Sequence, residues 1–262
     1  STTKINPGFS MSSNPPVDLA GRVALVTGAA RRIGAATATT LHDNGMNVAI
    51  HYRGSAAEAN DLCDRLNSRR PDSAACFQAD LLEPGAPTHL VAQVIEWGGG
   101  LDVLVNNAST FYPTPLGTIG EDAWQDLIGS NLKAPLFLSQ AAAPALVESG
   151  GNIVNIVDIH ARRPLRDHHV YGAAKSGLVM LTKSLAKDLA PAVRVNGVAP
   201  GAIAWPEHGM TEAVKQEILA EVPLGRAGDP ADIANAVLFF VRDATYSTGQ
   251  VLAIDGGRSI GW

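Results

Sequence analysis

The stretch Val23-Ala-Leu-Val-Thr27-Gly28-Ala29-Ala30-Arg31-Arg32-Ile33-Gly34 decides the fold class. Its first five residues are uncharged and rich in valine and leucine, the composition of a buried strand. A turn containing Gly28 follows, and the apolar spacing of a helix begins near 33 and runs to about 44. A glycine-bearing turn between a strand and a helix lets backbone N–H groups approach a phosphate at the helix N-terminus. Taken alone, such a turn is equally an ordinary connection. Its weight comes from being the first strand-to-helix turn of an alternating chain.

That alternation continues outward. NVAIHY at 47–52 reads as a strand, 56–69 as a helix closed by Pro71, AACFQ at 74–78 and VLVN at 103–106 as strands. A long helix is expected over 121–148, ended by Gly150-Gly151. NIVNIV at 152–157 precedes a helix over 170–189, and VRVNGVA at 193–199 and VLAI at 251–254 complete the set. Strands alternating with helices imply parallel β-α-β units, and near-continuous apolar strands imply that both sheet faces are covered. The expected architecture is α/β, a single-domain doubly wound Rossmann fold with a seven-stranded parallel sheet and helices on both faces. It occupies 17–262 behind a polar, proline-containing tail, 1–16, that reads as disordered, with Met11 a candidate start residue. Ligands in such folds sit beyond the carboxyl ends of the strands.

Composition narrows the function classes. Of 262 residues, 46% are hydrophobic and only 17% charged, which excludes a disordered protein. The net charge of −5 provides no global basic field for nucleic acid or an anionic membrane. Two cysteines, Cys63 and Cys76, cannot build a disulfide framework; they read as buried or half-buried thiols, in keeping with a reducing cytoplasm. No apolar run reaches about 18 residues, and the N-terminus lacks the pattern of a secretory signal. The expected location is the cytoplasm.

The second strand ends in His51-Tyr52-Arg53-Gly54-Ser55. A chain selecting NAD places a carboxylate here for the ribose 2′-hydroxyl. None is present. Arg53 can bond a 2′-phosphate with charge assistance, Ser55 adds a hydroxyl, and Arg31 is a second cation on the same sheet edge, so NADPH is the expected cofactor.

Tyr171 and Lys175 stand four apart, on one face of a helix. An ammonium near a phenol favours phenolate and lowers the Tyr171 pKa, which makes a better proton donor near neutral pH. Asp158 lies thirteen residues earlier, just past the fifth strand.

Over 17–262 the sequence resembles the short-chain dehydrogenase/reductase family. The marks are the TGxxxGxG loop at 27–34, Asp80 after the third strand, Asn106-Asn107-Ala108, Asn131, the YxxxK pair Tyr171 and Lys175, and the turn Pro200-Gly201. Two departures sharpen the resemblance. Arg32 replaces the second glycine of the loop, and Asp158 stands where the family places a catalytic serine. An ionised Asp only accepts hydrogen bonds. It suits a substrate rich in N–H groups, or one whose ring nitrogen is protonated, better than it suits a ketone. Both departures, with TGAARRIG, HYRGSAAEAN, NNASTFYPTP and VDIH, are similar to the pteridine reductase branch.

That resemblance implies cofactor contacts at Gly28, Arg31, Arg32, Ile33, His51, Tyr52, Arg53, Ser55, Asp80, Leu81, Asn107, Ala108, Ser109, Tyr171, Lys175, Pro200 and Gly201. It implies a pterin held between the nicotinamide and Phe111, touched by Arg32, Ser109, Asp158, His168, Tyr171 and Trp205. Asp158, Tyr171 and Lys175 would handle the proton, and Asn131 would support Lys175. Hydride would pass from NADPH to a ring carbon of a pterin, dihydropterin or dihydrofolate. The resemblance also implies a homotetramer, with Trp262 a candidate contributor to a neighbouring site. His160, His168 and His169 have no partner at metal-ligand spacing, so no metal is expected. Arg162, Arg163 and Arg166 form a cationic stretch, read either as a solvated loop or as a feature favouring anionic substrates. The alternatives are a carbonyl or alcohol oxidoreductase of the same family and, more distantly, an NADP-binding redox sensor without turnover.

Overall fold

The computed structural model describes residues 15–204 and 211–260. Seven strands form one sheet: β1 Val23–Val26, β2 Asn47–Tyr52, β3 Ala74–Gln78, β4 Val103–Asn106, β5 Asn152–Ile156, β6 Arg194–Pro200 and β7 Val251–Ile254. All neighbours pair parallel in the order β3-β2-β1-β4-β5-β6-β7. The order reverses between β1 and β4, which opens a crevice at their carboxyl ends. This is the doubly wound, single-domain α/β arrangement expected.

Helices cover both faces. They are α1 Arg32–Asp43, α2 Ala56–Arg69, α3 Ala86–Gly98, α4 Glu121–Ile128, α5 Ala134–Ser149, α6 His169–Leu189, α7 Glu212–Ala220 and α8 Pro230–Leu238. Side chains alternate across each strand. Val26, Val105 and Val154 pack with Leu41 of α1, Leu62 of α2 and Val237 of α8. Leu25, Leu104 and Ile153 face the other way, onto Leu90 and Val94 of α3 and Leu138 and Leu146 of α5. All thirteen side chains are almost wholly shielded from solvent, and this double burial is why the strands carry so few polar residues.

Three of the helices, α3, α7 and α8, are absent from the sequence reading. Pro87 looks like a breaker but occupies the first turn of α3, where its missing N–H costs nothing. Asp229 and Asp232 close a capping box on α8, a signal legible in the sequence. The single helix expected over 121–148 is instead two. A π-helical turn, Gly129–Lys133, separates α4 from α5. Gly129 lies so close to Leu82 that an added Cβ would come within 2.6 Å of its Cδ2. Asn131 is turned inward there, its Nδ2 donating to Leu127 O at 3.0 Å and Thr110 O at 2.9 Å. At the amino end, Val17 N donates to Arg242 O at 2.9 Å. Cys63 and Cys76 are free and half-buried, as expected. None of the described helices is long and apolar enough to cross a membrane.

Candidate active site

The loop after β1 is built around Thr27. Its Oγ1 donates to Val105 O and accepts from the backbone N–H groups of Asn107 (2.9 Å) and Ala108 (3.0 Å), tying the ends of β1 and β4 together. Asn107 returns the tie, its Nδ2 donating to Thr27 O at 2.9 Å and Gly28 O at 3.1 Å. Gly28 has φ +61°, and a Cβ there would come within 2.9 Å of Ala108 Cα. A Cβ on Gly34 would strike Gly28 O and come within 2.6 Å of Asn107 Nδ2. Only glycine fits either place. Arg32 occupies the left-handed region at φ +52°, and its Nη2 spans to Ala204 O at 3.1 Å and Ile203 O at 3.4 Å. The first turn of α1 holds two arginines at its start and no acid, a terminus suited to an anion.

A cavity of about 560 Å³ opens beside this loop, lined by Gly28, Arg31, His51, Tyr52, Arg53, Ser55, Asp80, Leu81, Ala108 and Ser109. The imidazole of His51 is committed to bracing it. Its Nδ1 accepts from Gly28 N at 3.1 Å, and its Nε2 lies 3.1 Å from Ala79 O, which fixes the proton on Nε2. Burial holds its pKa below the ordinary histidine range, with Asp80 and the Ala79 carbonyl pulling the other way. Arg31 approaches Glu58 at 3.6 Å with both side chains well exposed, a weak pair.

A second cavity of about 690 Å³ continues from the first, sharing Gly28, Arg31, Ala108 and Ser109. Its walls carry Arg32, Ile33, Asn107, Phe111, Asp158, His168, Tyr171, Lys175, Pro200 and Gly201. β5 delivers Asp158, which begins a 3₁₀ turn at Ile159–Ala161 and accepts from His160 N through Oδ1 at 2.8 Å. Tyr171 rises from the first turn of α6, and its hydroxyl donates to Asp158 Oδ2 at 2.7 Å. Lys175, one turn on and buried, donates to Ile156 O at 2.9 Å. Phe111 stacks on His168 with centroids 4.7 Å apart and meets Tyr171 edge-on at 4.8 Å.

One electrostatic expectation is corrected. Lys175 does not depress the Tyr171 pKa. Its ammonium is spent on the Ile156 carbonyl and lies 5.7 Å from the phenol ring centroid. Burial first, then the Asp158 carboxylate, push the phenol well above its ordinary value. Burial also pulls Lys175 down from 10.5 to about 8, against the attraction of Asp158.

The crevice thus gathers, at the carboxyl ends of β1, β2, β4, β5 and β6, nearly every residue singled out in the sequence. Residues 28–259 match the family model described as enoyl-(acyl carrier protein) reductase. The chain belongs to the short-chain dehydrogenase/reductase family. It is an NAD(P)-dependent reductase of that family. Pteridine reductase 1 of Leishmania tarentolae is 38% identical over 280 residues, spanning 91% of this chain and 96% of that protein. The 3-oxoacyl-(acyl-carrier-protein) reductase of Staphylococcus aureus is 36% identical over 238 residues, 89% of this chain and 96% of that protein. Its Staphylococcus epidermidis counterpart is 35% identical over 238 residues, 89% of this chain and 97% of that protein. Relatives of two substrate classes are therefore similarly close.

Within this reductase, Asn131 does not line either cavity. It supports the wall from behind, accepting from Ser109 Oγ at 2.6 Å. Trp205 and Trp262 lie outside the described residues. Arg258, which no sequence motif marks, lines the larger cavity from the turn after β7. It follows a glycine pair at a strand end, a signal for a turn but not for where that turn docks.

Proposed function

We propose that this reductase uses NADPH to reduce pterins or dihydropterins, dihydrofolate among them. Asp158 carries this reading: a carboxylate in the larger cavity, hydrogen-bonded to Tyr171 at 2.7 Å. A carboxylate accepts N–H bonds and opposes the build-up of negative oxygen, which fits an amino-substituted nitrogen ring and opposes a ketone. The cofactor reading rests on Arg53, Ser55 and Arg31 around the smaller cavity, which has Glu58 but no carboxylate at the end of β2. Gly28 and Gly34 let the loop pack directly on Asn107 and Ala108, which leaves its backbone at the cavity wall for a dinucleotide. NADPH, when bound, supplies the hydride.

The protein's own part is to orient and to move one proton. Phe111 offers a ring face against which a planar substrate stacks. Tyr171 gives its hydroxyl proton to the ring nitrogen next to the carbon that gains hydride, converting C=N to CH–NH. In the resting site that proton points at Asp158 Oδ2; the raised pKa of the phenol keeps it in place until charge develops on the substrate and the hydroxyl turns to it. Lys175 helps to hold the cofactor ribose, and Asn131 steadies the wall behind Ser109. A homotetramer in the cytoplasm accompanies this reading; exposed Trp124, Leu136, Phe137 and Met180 supply apolar surface for subunit contact.

The second reading, a 3-oxoacyl or other carbonyl reductase, is favoured by the Staphylococcus relatives at 36% and 35% identity. NADPH oxidation with biopterin, dihydrobiopterin, dihydrofolate, folate, a 3-oxoacyl thioester and simple ketones separates the two. Turnover of pterins is expected; turnover of carbonyl compounds alone overturns the first reading.

A further inference from the structure

Arg258 stands in the turn that follows β7. The turn is held rigidly. Asp255 accepts from Gly257 N at 2.9 Å and from Ser259 N at 2.7 Å. Gly256 and Gly257 both have positive φ, and a Cβ on either would press on Val222 or Pro223. Arg163 donates to the Arg258 carbonyl oxygen. The side chain is placed as firmly as the backbone. Its Nε and Nη2 both donate to Glu221 Oε2, at 3.0 and 2.9 Å.

That pairing leaves the guanidinium unfinished. The group carries five N–H donors, and Glu221 takes two through a single oxygen. Nη1 makes no hydrogen bond among the described residues, although the side chain is only 14% exposed. Arg258 lines the larger cavity together with Asp158, Tyr171 and Phe111. Glu221 is 63% exposed, so solvent screens its charge more than that of the arginine. Arg162 and Arg166, both exposed, add positive charge on the loop beyond Asp158. The cavity is therefore two-signed: a carboxylate at Asp158, a guanidinium with a free edge at Arg258.

We infer that Arg258 is a specificity-determining residue whose free Nη1 edge receives a carboxylate on the substituent of the substrate ring. The inference rests on the pterin reading and deepens it. Asp158 takes the N–H edge of the ring, and Arg258 takes an anionic oxygen carried away from it. Arginine rather than lysine suits this task because its fork binds Glu221 on one edge and a second carboxylate on another.

The test is calorimetric titration of the full chain, saturated with NADP⁺, with pterin and with pterin-6-carboxylate, which share one ring. Wild type is expected to bind the carboxylate about tenfold or more tightly than pterin, the scale of one charge-assisted bond. Arg258→Ala removes that preference, weakening the carboxylate ligand about tenfold beyond any loss for pterin. Arg258→Lys restores part of it. Glu221→Gln, which keeps an acceptor but removes the opposing charge, strengthens the preference. This change of sign would not follow from a purely structural pair. Equal losses for both ligands in Arg258→Ala, or no preference in wild type while pterin binds, overturn the inference and leave the pterin reading standing. Failure of both ligands to bind wild type overturns both.

Discussion

The Tyr171 hydroxyl donates to Asp158 Oδ2 at 2.7 Å, while Asp158 Oδ1 is held by His160 N at 2.8 Å. The carboxylate is gripped on both oxygens, so it fixes the direction of the phenol and not merely its charge. A proton acceptor just past β5 and a proton donor on α6 meet across thirteen residues of chain, in a wall that also carries Phe111 and His168.

Tyr171→Phe is expected to lower kcat/KM by about 10²- to 10⁴-fold, the usual worth of a positioned proton carrier. Asp158→Asn keeps the shape and removes the charge that raises the phenol. Burial still holds Tyr171 high, so Lys175, at about 8, sets the alkaline limb; without the attraction of Asp158 it falls further, and the limb of the pH–rate profile should move to lower pH. An unmoved limb would disprove the electrostatic link.

Lys175 binds a proton less tightly in the folded chain, at about 8, than in the unfolded one, at 10.5. Between these values the unfolded state carries more protons, so stability rises with pH through that window. The expected slope is about 1.4 kcal/mol per unit between pH 8 and 10, read from urea midpoints. Above 10 the raised Tyr171 works in the opposite sense. Lys175→Met should flatten the rise.

His51 has the same sense of shift, below its ordinary 6.5, with burial as the leading cause and Asp80 as the nearest opposing charge. Its neutral Nδ1 accepts from Gly28 N, and protonation abolishes that acceptor. Stability is complete above about pH 6.5 and is lost as pH falls below it. Thermal unfolding at pH 5 and 7 should show this in wild type and to a smaller extent in His51→Gln, where buried His42 still shifts in the same sense.

Arg53→Asp places a carboxylate at the end of β2, in the cavity shared with Ser55. The KM for NADPH should rise about ten- to a hundredfold, as expected for loss of a charged hydrogen bond, with little change for NADH. Equal changes in steady-state titrations of the two would refute the 2′-phosphate assignment.

Asn131→Ala should cost about 2 kcal/mol in urea unfolding, because Ser109 Oγ, Thr110 O and Leu127 O lose a common partner inside the wall. Unchanged stability would show that the π turn does not depend on that side chain.

The sequence by itself determined the alternation of buried strands and helices, because doubly covered strands must be apolar along their length. β2, β3, β4 and β7 fall where the runs NVAIHY, AACFQ, VLVN and VLAI place them. It also supplied the local chemistry, such as Gly28, Arg53, Asp158 and the Tyr171–Lys175 spacing, because these are properties of short segments. Tertiary structure alone decided the rest. The π turn depends on Leu82 pressing against Gly129 and Thr110 receiving Asn131, contacts across twenty residues or more. The direction of the Tyr171 shift depends on burial and on Asp158, not on the neighbouring lysine that the spacing suggested. Arg258 enters the cavity because β7 closes the sheet beside β6 and its turn docks against Glu221. Spacing reports which residues share a helix or strand; only packing sets which charges lose their water and which partner each then meets.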